Sequence, residues 1–291
     1  MMSEPSKIKF SVSAPAKINL TLRVTGRRAN GYHDLDMVMV KLDLCDEIEI
    51  EARSSQLAAQ GKNIEIFSES PVVPKDSSNS MWKAVELLQK ETGKNFAVKI
   101  TIQKNIPVAA GLGGGTSDAA SVLKSLNEKL DLGVSSQRLK ELAVKIGADV
   151  PFFLCDGPQR VTGIGDILEP TQVKPLYVIL MNPGFPVSTK DVYGWWDELE
   201  SPSELTALKT DATRPDLEND LEKVVIPRYP VLAQMKEALL NAGALGALMS
   251  GSGGTVFGLY DSKASCDQGF EVLKRSKKPE WWICKSESSG C

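Results

Sequence analysis

Two α+β units are what this 291-residue sequence predicts. Segments that alternate apolar and polar residues sit beside segments whose apolar residues recur every three or four positions. Glycine clusters at 111–115 and 251–254 mark two sharp loops, each next to a strand or helix pattern. Beyond Gly163 and Gly165 the strand–helix alternation restarts, which places a boundary near 160–170. Two medium domains suit a chain of this length.

In chain order, residues 8–24 read as strand, turn, strand, and 42–52 alternate through Leu42, Leu44, Ile48 and Ile50. The stretch 53–80 is polar and broken by Pro71 and Pro74, so a loop-rich excursion is expected. A helix follows over 80–92 (Met81, Val85, Leu88) with Asn79 or Ser80 as its cap. Residues 97–103 alternate as a strand that leads into the first glycine cluster. A helix then runs to about Leu130, carrying Val122, Leu123 and Leu126, with Thr116, Ser117 or Asp118 as N-cap. A further helix over 136–146 stops at Gly147 as a C′ residue, and the apolar segment 148–153 holds one carboxylate, Asp149. In the second half, 176–181 is a continuous apolar strand, Asn182-Pro183-Gly184 a turn, and Val192, Trp195 and Trp196 lie on a helix. A helix over 231–242, a strand over 255–260 and a helix near 262–275 complete the pattern. The resulting division is 1–160, 161–285 and a frayed tail over 286–291.

Composition removes several classes of function. Apolar content of 42%, charged content of 24% and a net charge of −3 describe an ordinary globular chain. The balance of 34 basic and 37 acidic side chains argues against nucleic acid as a partner. No apolar run approaches a membrane span, and the first residues lack the apolar core of a signal peptide, so a cytoplasmic protein is expected. Five scattered cysteines without a C-x-x-C argue against disulfides and zinc. The single histidine, His33, excludes a histidine-rich metal site.

Pro107 to Ser117 is the segment richest in chemistry. Gly111, Gly113, Gly114 and Gly115 remove the Cβ atoms that would hold a ligand off the backbone and permit positive φ. Successive N–H groups then curl around one centre, and the helix that follows adds its positive end, which together suit a phosphate. A plain flexible loop before a helix is the bland alternative. Neither Walker A nor G-x-G-x-x-G fits: Gly61-Lys62 and Gly93-Lys94 precede Asn, and Thr116 stands where a third glycine belongs.

Three other segments gain meaning beside this loop. Lys17 lies among apolar strand residues and points inward or into a cleft, unless it is an edge-strand lysine that discourages aggregation. Asp149 is costly to bury without a partner or a catalytic task, and reads equally as a helix-end cap. The run Leu248 to Thr255 lets two backbones, or a backbone and a ligand, approach closely; a tight turn before a strand is its plain alternative. A satisfied structural histidine is the plain reading of His33.

In order along the chain, PAKIN (Pro15 to Asn19), P-x-x-x-G-L-G-G-G-[ST]-S (Pro107 to Ser117), GADVPFF (Gly147 to Phe153) and SGSGGT (Ser250 to Thr255) resemble the galactokinase, homoserine, mevalonate and phosphomevalonate (GHMP) kinase superfamily over essentially its whole length. NGYHDL (Asn30 to Leu35) and NPGFPVST (Asn182 to Thr189) narrow the likeness to members whose acceptor is a cytidyl diphosphate sugar alcohol.

The resemblance implies an N-terminal ribosomal-S5-domain-2-like ATP-binding domain and a C-terminal ferredoxin-like domain. It implies ATP and Mg²⁺, small-molecule substrates, and a monomer or homodimer. By the same resemblance Pro107, Val108, Ala109, Ala110, Gly111, Leu112, Gly113, Gly114, Gly115, Thr116 and Ser117 wrap the ATP phosphates, with Ser117 near the phosphates or the metal. Asp149 corresponds to the catalytic base and Lys17 to its partner lysine, with Asn19 near the acceptor hydroxyl. Tyr32 stacks on the cytosine, His33 hydrogen-bonds it, Tyr193 is a second stacking ring, and Thr189 lies near the sugar alcohol or its phosphates. Met39 stands at a pocket position that is often Phe, and Gly254 replaces a more usual alanine. Another kinase of the superfamily, such as a homoserine kinase, and a non-catalytic ligand-binding protein of the same fold are the competing readings.

Overall fold

The structure, a computed structural model, describes residues 7–54, 63–199 and 217–288. The described chain forms two compact units that interleave in sequence. Among the described residues one comprises 7–16, 45–54, 63–106 and 114–155, the other 17–44, 107–113, 156–199 and 217–288. Two long strands, β1 (Lys7–Arg27) and β2 (His33–Ser54), contribute to both. The turn expected inside 8–24 is absent, because β1 is one strand of 21 residues. Pro15 sits within it, its fixed φ being compatible with extended backbone.

In the first unit, β2 pairs antiparallel with β4 (Phe96–Gln103), matching Ile48 with Ile102 and Ile50 with Ile100. The excursion over 53–80 contains an unforeseen strand, β3 (Ile64–Ser68), parallel to β4; positions 55–62 of that excursion lie outside the described residues. The alternation in β4 is real: Phe96, Val98, Ile100 and Ile102 are buried and the residues between them are not. Helices α1 (Ser80–Thr92), α2 (Gly114–Lys129), α3 (Ser136–Ile146) and α4 (Val150–Phe153) complete this unit. Asn79 caps α1 by accepting the Met81 N–H at 2.8 Å. Gly147 follows α3 with φ 178°, ordinary extended backbone, so the left-handed C′ role expected of it is not realised.

In the second unit, β5 (Gln159–Gly163) pairs with β2 and with β6 (Ile167–Pro170), and β7 (Tyr177–Asn182) is followed by α5 (Thr189–Asp197). The short β8 (Glu218–Asn219) lies parallel to β1, followed by α6 (Glu222–Val225) and α7 (Val231–Asn241). Then come β9 (Gly246–Met249), β10 (Val256–Tyr260), α8 (Lys263–Ser276) and β11 (Trp282–Glu287). Strands β11-β7-β10-β9 form an antiparallel sheet whose order and intervening helices give the ferredoxin-like arrangement. Helix α7 packs on β9 and β10, and α8 on β7, β10 and β11, and the apolar runs of β7 and β10 are buried along nearly their whole length. Ser286 and Glu287, expected in a frayed tail, pair instead with Val178 and Tyr177 of β7. Strands β5, β6, β8, β9 and β11 and helix α6 escaped the sequence reading because each is short or has little alternation.

Candidate active site

The first half of the glycine-rich loop belongs to the second unit. Ala109, Gly111 and Gly113 have φ of 52°, 76° and 69°, the positive values that turn successive N–H groups toward one side. Four consecutive carbonyls are engaged by the protein. Ala109 O accepts from Val187 N–H at 3.3 Å, Ala110 O from Thr255 N–H at 3.1 Å, and Leu112 O from Lys17 N–H at 2.9 Å. Between them, Gly111 O accepts from Ser250 Oγ at 3.0 Å. Acceptors held in this way do not face an incoming anion. A Cβ at position 111 would lie 2.1 Å from Ser250 O, so glycine is required there by contact as well as by φ. The expected close approach of two backbones at 248–255 is therefore made against this loop.

The same contacts gather the other segments of this unit. Lys17 is buried, 4% exposed, and its Nζ donates to Asn19 Oδ1 at 2.6 Å. The two are neighbours on one face of β1, as a spacing of two demands. Asn19 Nδ2 in turn donates to Met37 Sδ. Gly251 lies over this pair, since a Cβ there would be 3.2 Å from Lys17 Nζ. Asn219, which the sequence reading missed, donates to Met249 O and Gly251 O at 2.8 Å and so shapes the turn beside Lys17. Its only local signal is an Asn-Asp pair, and its partners lie about thirty residues downstream.

Tyr32 is exposed at the tip of a turn in which Arg28 N–H donates to Tyr32 O at 2.7 Å. His33, at the start of β2, is buried. Its ring stacks on Tyr193 at 4.8 Å between centroids and 22° between planes. His33 Nε2 stands 2.7 Å from Asp197 Oδ1, and Arg27 reaches the other oxygen of Asp197 at 3.1 Å. Thr189 is exposed and its hydroxyl bonds that of Ser252 at 2.7 Å. Met39, expected at a pocket position, is fully buried at 0% exposure on β2, opposite Gln159 of β5.

In the first unit α2 begins at Gly114, so Thr116, Ser117 and Asp118 lie in the helix rather than capping it. Helical glycine costs about 1 kcal/mol relative to alanine. The close neighbours of Gly114 explain its use, since a Cβ there would meet Lys104 Nζ and Ile106 at 3.2 Å. Lys104 donates to Asp118 Oδ2 at 2.8 Å and pairs with Asp46. Asp46 is fully buried and also accepts the Asn105 and Ile106 N–H groups at 2.7 and 2.9 Å. Burial raises the Asp118 carboxyl, Lys104 lowers it and Asp46 raises it again, leaving it up at about 7. Burial lowers the Lys104 ammonium, but the two carboxylates outweigh it and hold its pKa above the ordinary value. Among the described residues, Ser117 Oγ and Asp118 Oδ1 are the buried side-chain oxygens without a hydrogen-bond partner. Asp149 stands immediately before α4 with φ −80° and ψ −11°, and its carboxylate makes no N-capping hydrogen bond to that helix.

Residues 79–157 match the family model described as GHMP kinases N terminal domain, and 202–278 the one described as GHMP kinases C terminal. A 4-diphosphocytidyl-2-C-methyl-D-erythritol kinase of Citrifermentans bemidjiense is 45% identical over 275 residues, covering 92% of this chain and 96% of that protein. A crystal structure of 4-(cytidine 5'-diphospho)-2C-methyl-D-erythritol kinase is 30% identical with a TM-score of 0.78, covering 97% of this chain and 100% of its own. Homoserine kinase from Cytophaga hutchinsonii is similar in fold, with a TM-score of 0.72 at 20% identity, covering 99% and 96% of the two chains.

Proposed function

The chain belongs to the GHMP kinases, in the family of 4-diphosphocytidyl-2-C-methyl-D-erythritol kinases, and from that premise we propose which residues carry the reaction. It is an ATP-dependent kinase that phosphorylates the 2-hydroxyl of 4-diphosphocytidyl-2-C-methyl-D-erythritol, giving the 2-phosphate and ADP on the non-mevalonate route to isopentenyl diphosphate.

Phosphoryl transfer asks a protein for positioning and charge stabilisation more than for covalent work. Pro107 to Ser117 offers N–H groups to the triphosphate. The observation that supports this most is the engagement of four successive carbonyls, Ala109 to Leu112, by protein donors. The first N–H groups of α2 have no acceptor within the helix and add to that field. Asp149 takes the proton from the acceptor hydroxyl, a general-base role that contributes about 10²–10⁴ in rate. Lys17 supplies a fixed cation for the developing charge, its direction set by Asn19. Tyr32 and Tyr193 stack on the cytosine, His33 hydrogen-bonds it, and Thr189 contacts the phosphates or the erythritol.

Mg²⁺ fits this residue set. The described residues contain no cluster of three or more His, Cys, Asp or Glu, but a metal carried on a triphosphate needs only one or two protein oxygens. The unpartnered Ser117 Oγ is the residue we assign to it. Bound there, the ion neutralises charge on the phosphates. No helix among the described residues is long and apolar enough to cross a membrane. We assign the protein to the cytoplasm, as a monomer or homodimer.

The test is ADP release by Asp149→Asn and Lys17→Ala with the cytidyl substrate, homoserine and mevalonate. Both variants are expected to lose at least about 10²-fold in kcat with the cytidyl substrate. Turnover equal to the parent in both variants rejects the assigned mechanism, and activity with homoserine alone rejects the assigned acceptor.

A further inference from the structure

Asp197, the last residue of α5, meets His33 from 164 positions away in the sequence. An ionised carboxylate only accepts hydrogen bonds, so the 2.7 Å contact places the ring proton on Nε2. In the neutral ring Nδ1 is then an acceptor. Tyr193, one helical turn earlier on α5, lies against the face of the same ring. One helix thus sets both the plane of the imidazole and the identity of its free nitrogen. The Arg27 guanidinium holds the second oxygen of Asp197, which restrains the carboxylate itself.

We infer that Asp197 is a positioning residue that makes this site choose an amino-bearing pyrimidine over a keto-bearing one. The inference rests on the reading of His33 as a contact to the base. Cytosine presents the hydrogens of its N4 amino group, which an acceptor nitrogen receives. Uracil presents the O4 lone pairs at the same place, and two acceptors facing each other leave a buried polar group unpaired. Sites of that kind discriminate strongly between otherwise similar ligands. His33 is 8% exposed, so water is a poor substitute partner.

The chain contains one histidine, so a ring ¹⁵N spectrum of the labelled full-length protein reports His33 alone. The parent is expected to show the Nε2–H tautomer. Asp197→Asn can donate its amide N–H to Nε2, and is expected to move the population toward Nδ1–H. In the same variant, kcat/KM for the cytidyl substrate relative to its uridyl counterpart should fall at least about tenfold, with the KM for ATP unmoved. An unmoved tautomer, or a moved tautomer with an unchanged cytidyl-to-uridyl ratio, overturns the inference. His33→Ala separates this failure from that of the underlying reading. A raised cytidyl KM in His33→Ala keeps His33 at the base whatever Asp197 does, whereas an unchanged KM removes His33 from the base and the inference with it.

Discussion

Gly111 lies so close to Ser250 that a Cβ on the glycine would stand 2.1 Å from the Ser250 carbonyl oxygen. The Ser250 hydroxyl donates back to Gly111 O at 3.0 Å, so two glycine-rich turns that are 139 residues apart are locked to each other. The shape of the glycine-rich loop is thus set by a partner outside its own motif.

Gly111→Ala and Gly133→Ala separate contact from conformation. Both glycines have positive φ, 76° and 79°, but a Cβ at 133 meets nothing within 4 Å. Gly133→Ala is expected to cost about 1 kcal/mol, the left-handed penalty alone. Gly111→Ala should cost about 3 kcal/mol or more and raise the KM for ATP, because either Ser250 or the loop has to move. Denaturation midpoints and ATP kinetics for the pair check this; equal destabilisation would show that the Ser250 contact yields freely.

Asp46 satisfies two backbone N–H groups and the Lys104 ammonium in a site with no access to water. Asp46→Ala leaves the two N–H groups unpaired and Lys104 with Asp118 alone, and is expected to cost about 3–5 kcal/mol. Asp46→Asn keeps an oxygen for the N–H groups and should cost clearly less. Urea unfolding of both variants gives the order, and a reversed order refutes the role of the backbone bonds.

Asp118 sets a pH dependence of known sign. Its carboxyl is raised from 3.8 to about 7 in the folded chain, so the folded state holds more protons than the unfolded state between those values. Stability from this group is therefore greatest below about pH 4, falls as pH rises to about 7, and is level above that. Lys104 stays charged throughout this window, its own pKa being raised. Ligand-free protein should lose roughly 2 kcal/mol between pH 5 and pH 7 relative to Asp118→Asn. Parallel stability curves for the two proteins would remove the effect.

Tyr193→Ala tests the stacking ring without touching the phosphate loop. Aromatic pairs contribute about 0.5–1.5 kcal/mol beyond burial, so the KM for the cytidyl substrate should rise up to roughly tenfold. The KM for ATP should stay where it is. A cytidyl KM that does not move excludes Tyr193 from the base site.

Several local features of the candidate site are legible in the sequence. Lys17 and Asn19 could be placed on one strand face from their spacing, the glycine run announced its positive φ values, and Asn79 announced the start of α1. These are local properties of the backbone, carried by residues within a turn or two of each other. Asp197, Asn219, Asp46 and Lys104 were silent, because a lone carboxylate or amide in a polar stretch looks like any solvated surface residue. The burial of Met39 was equally silent, since it is completed by a strand 120 residues later.

The order of PAKIN, the glycine loop, GADVPFF and SGSGGT was enough to establish the kinase family, since each motif encodes its own local conformation. The folded chain decided which groups are spent on structure and which are offered to ligands. Carbonyls of the loop are engaged by Val187, Thr255, Ser250 and Lys17, and one nitrogen of His33 is engaged by Asp197. Hydrogen-bond partners of that kind are set by which segments pack together, and packing depends on the whole chain rather than on any window of it.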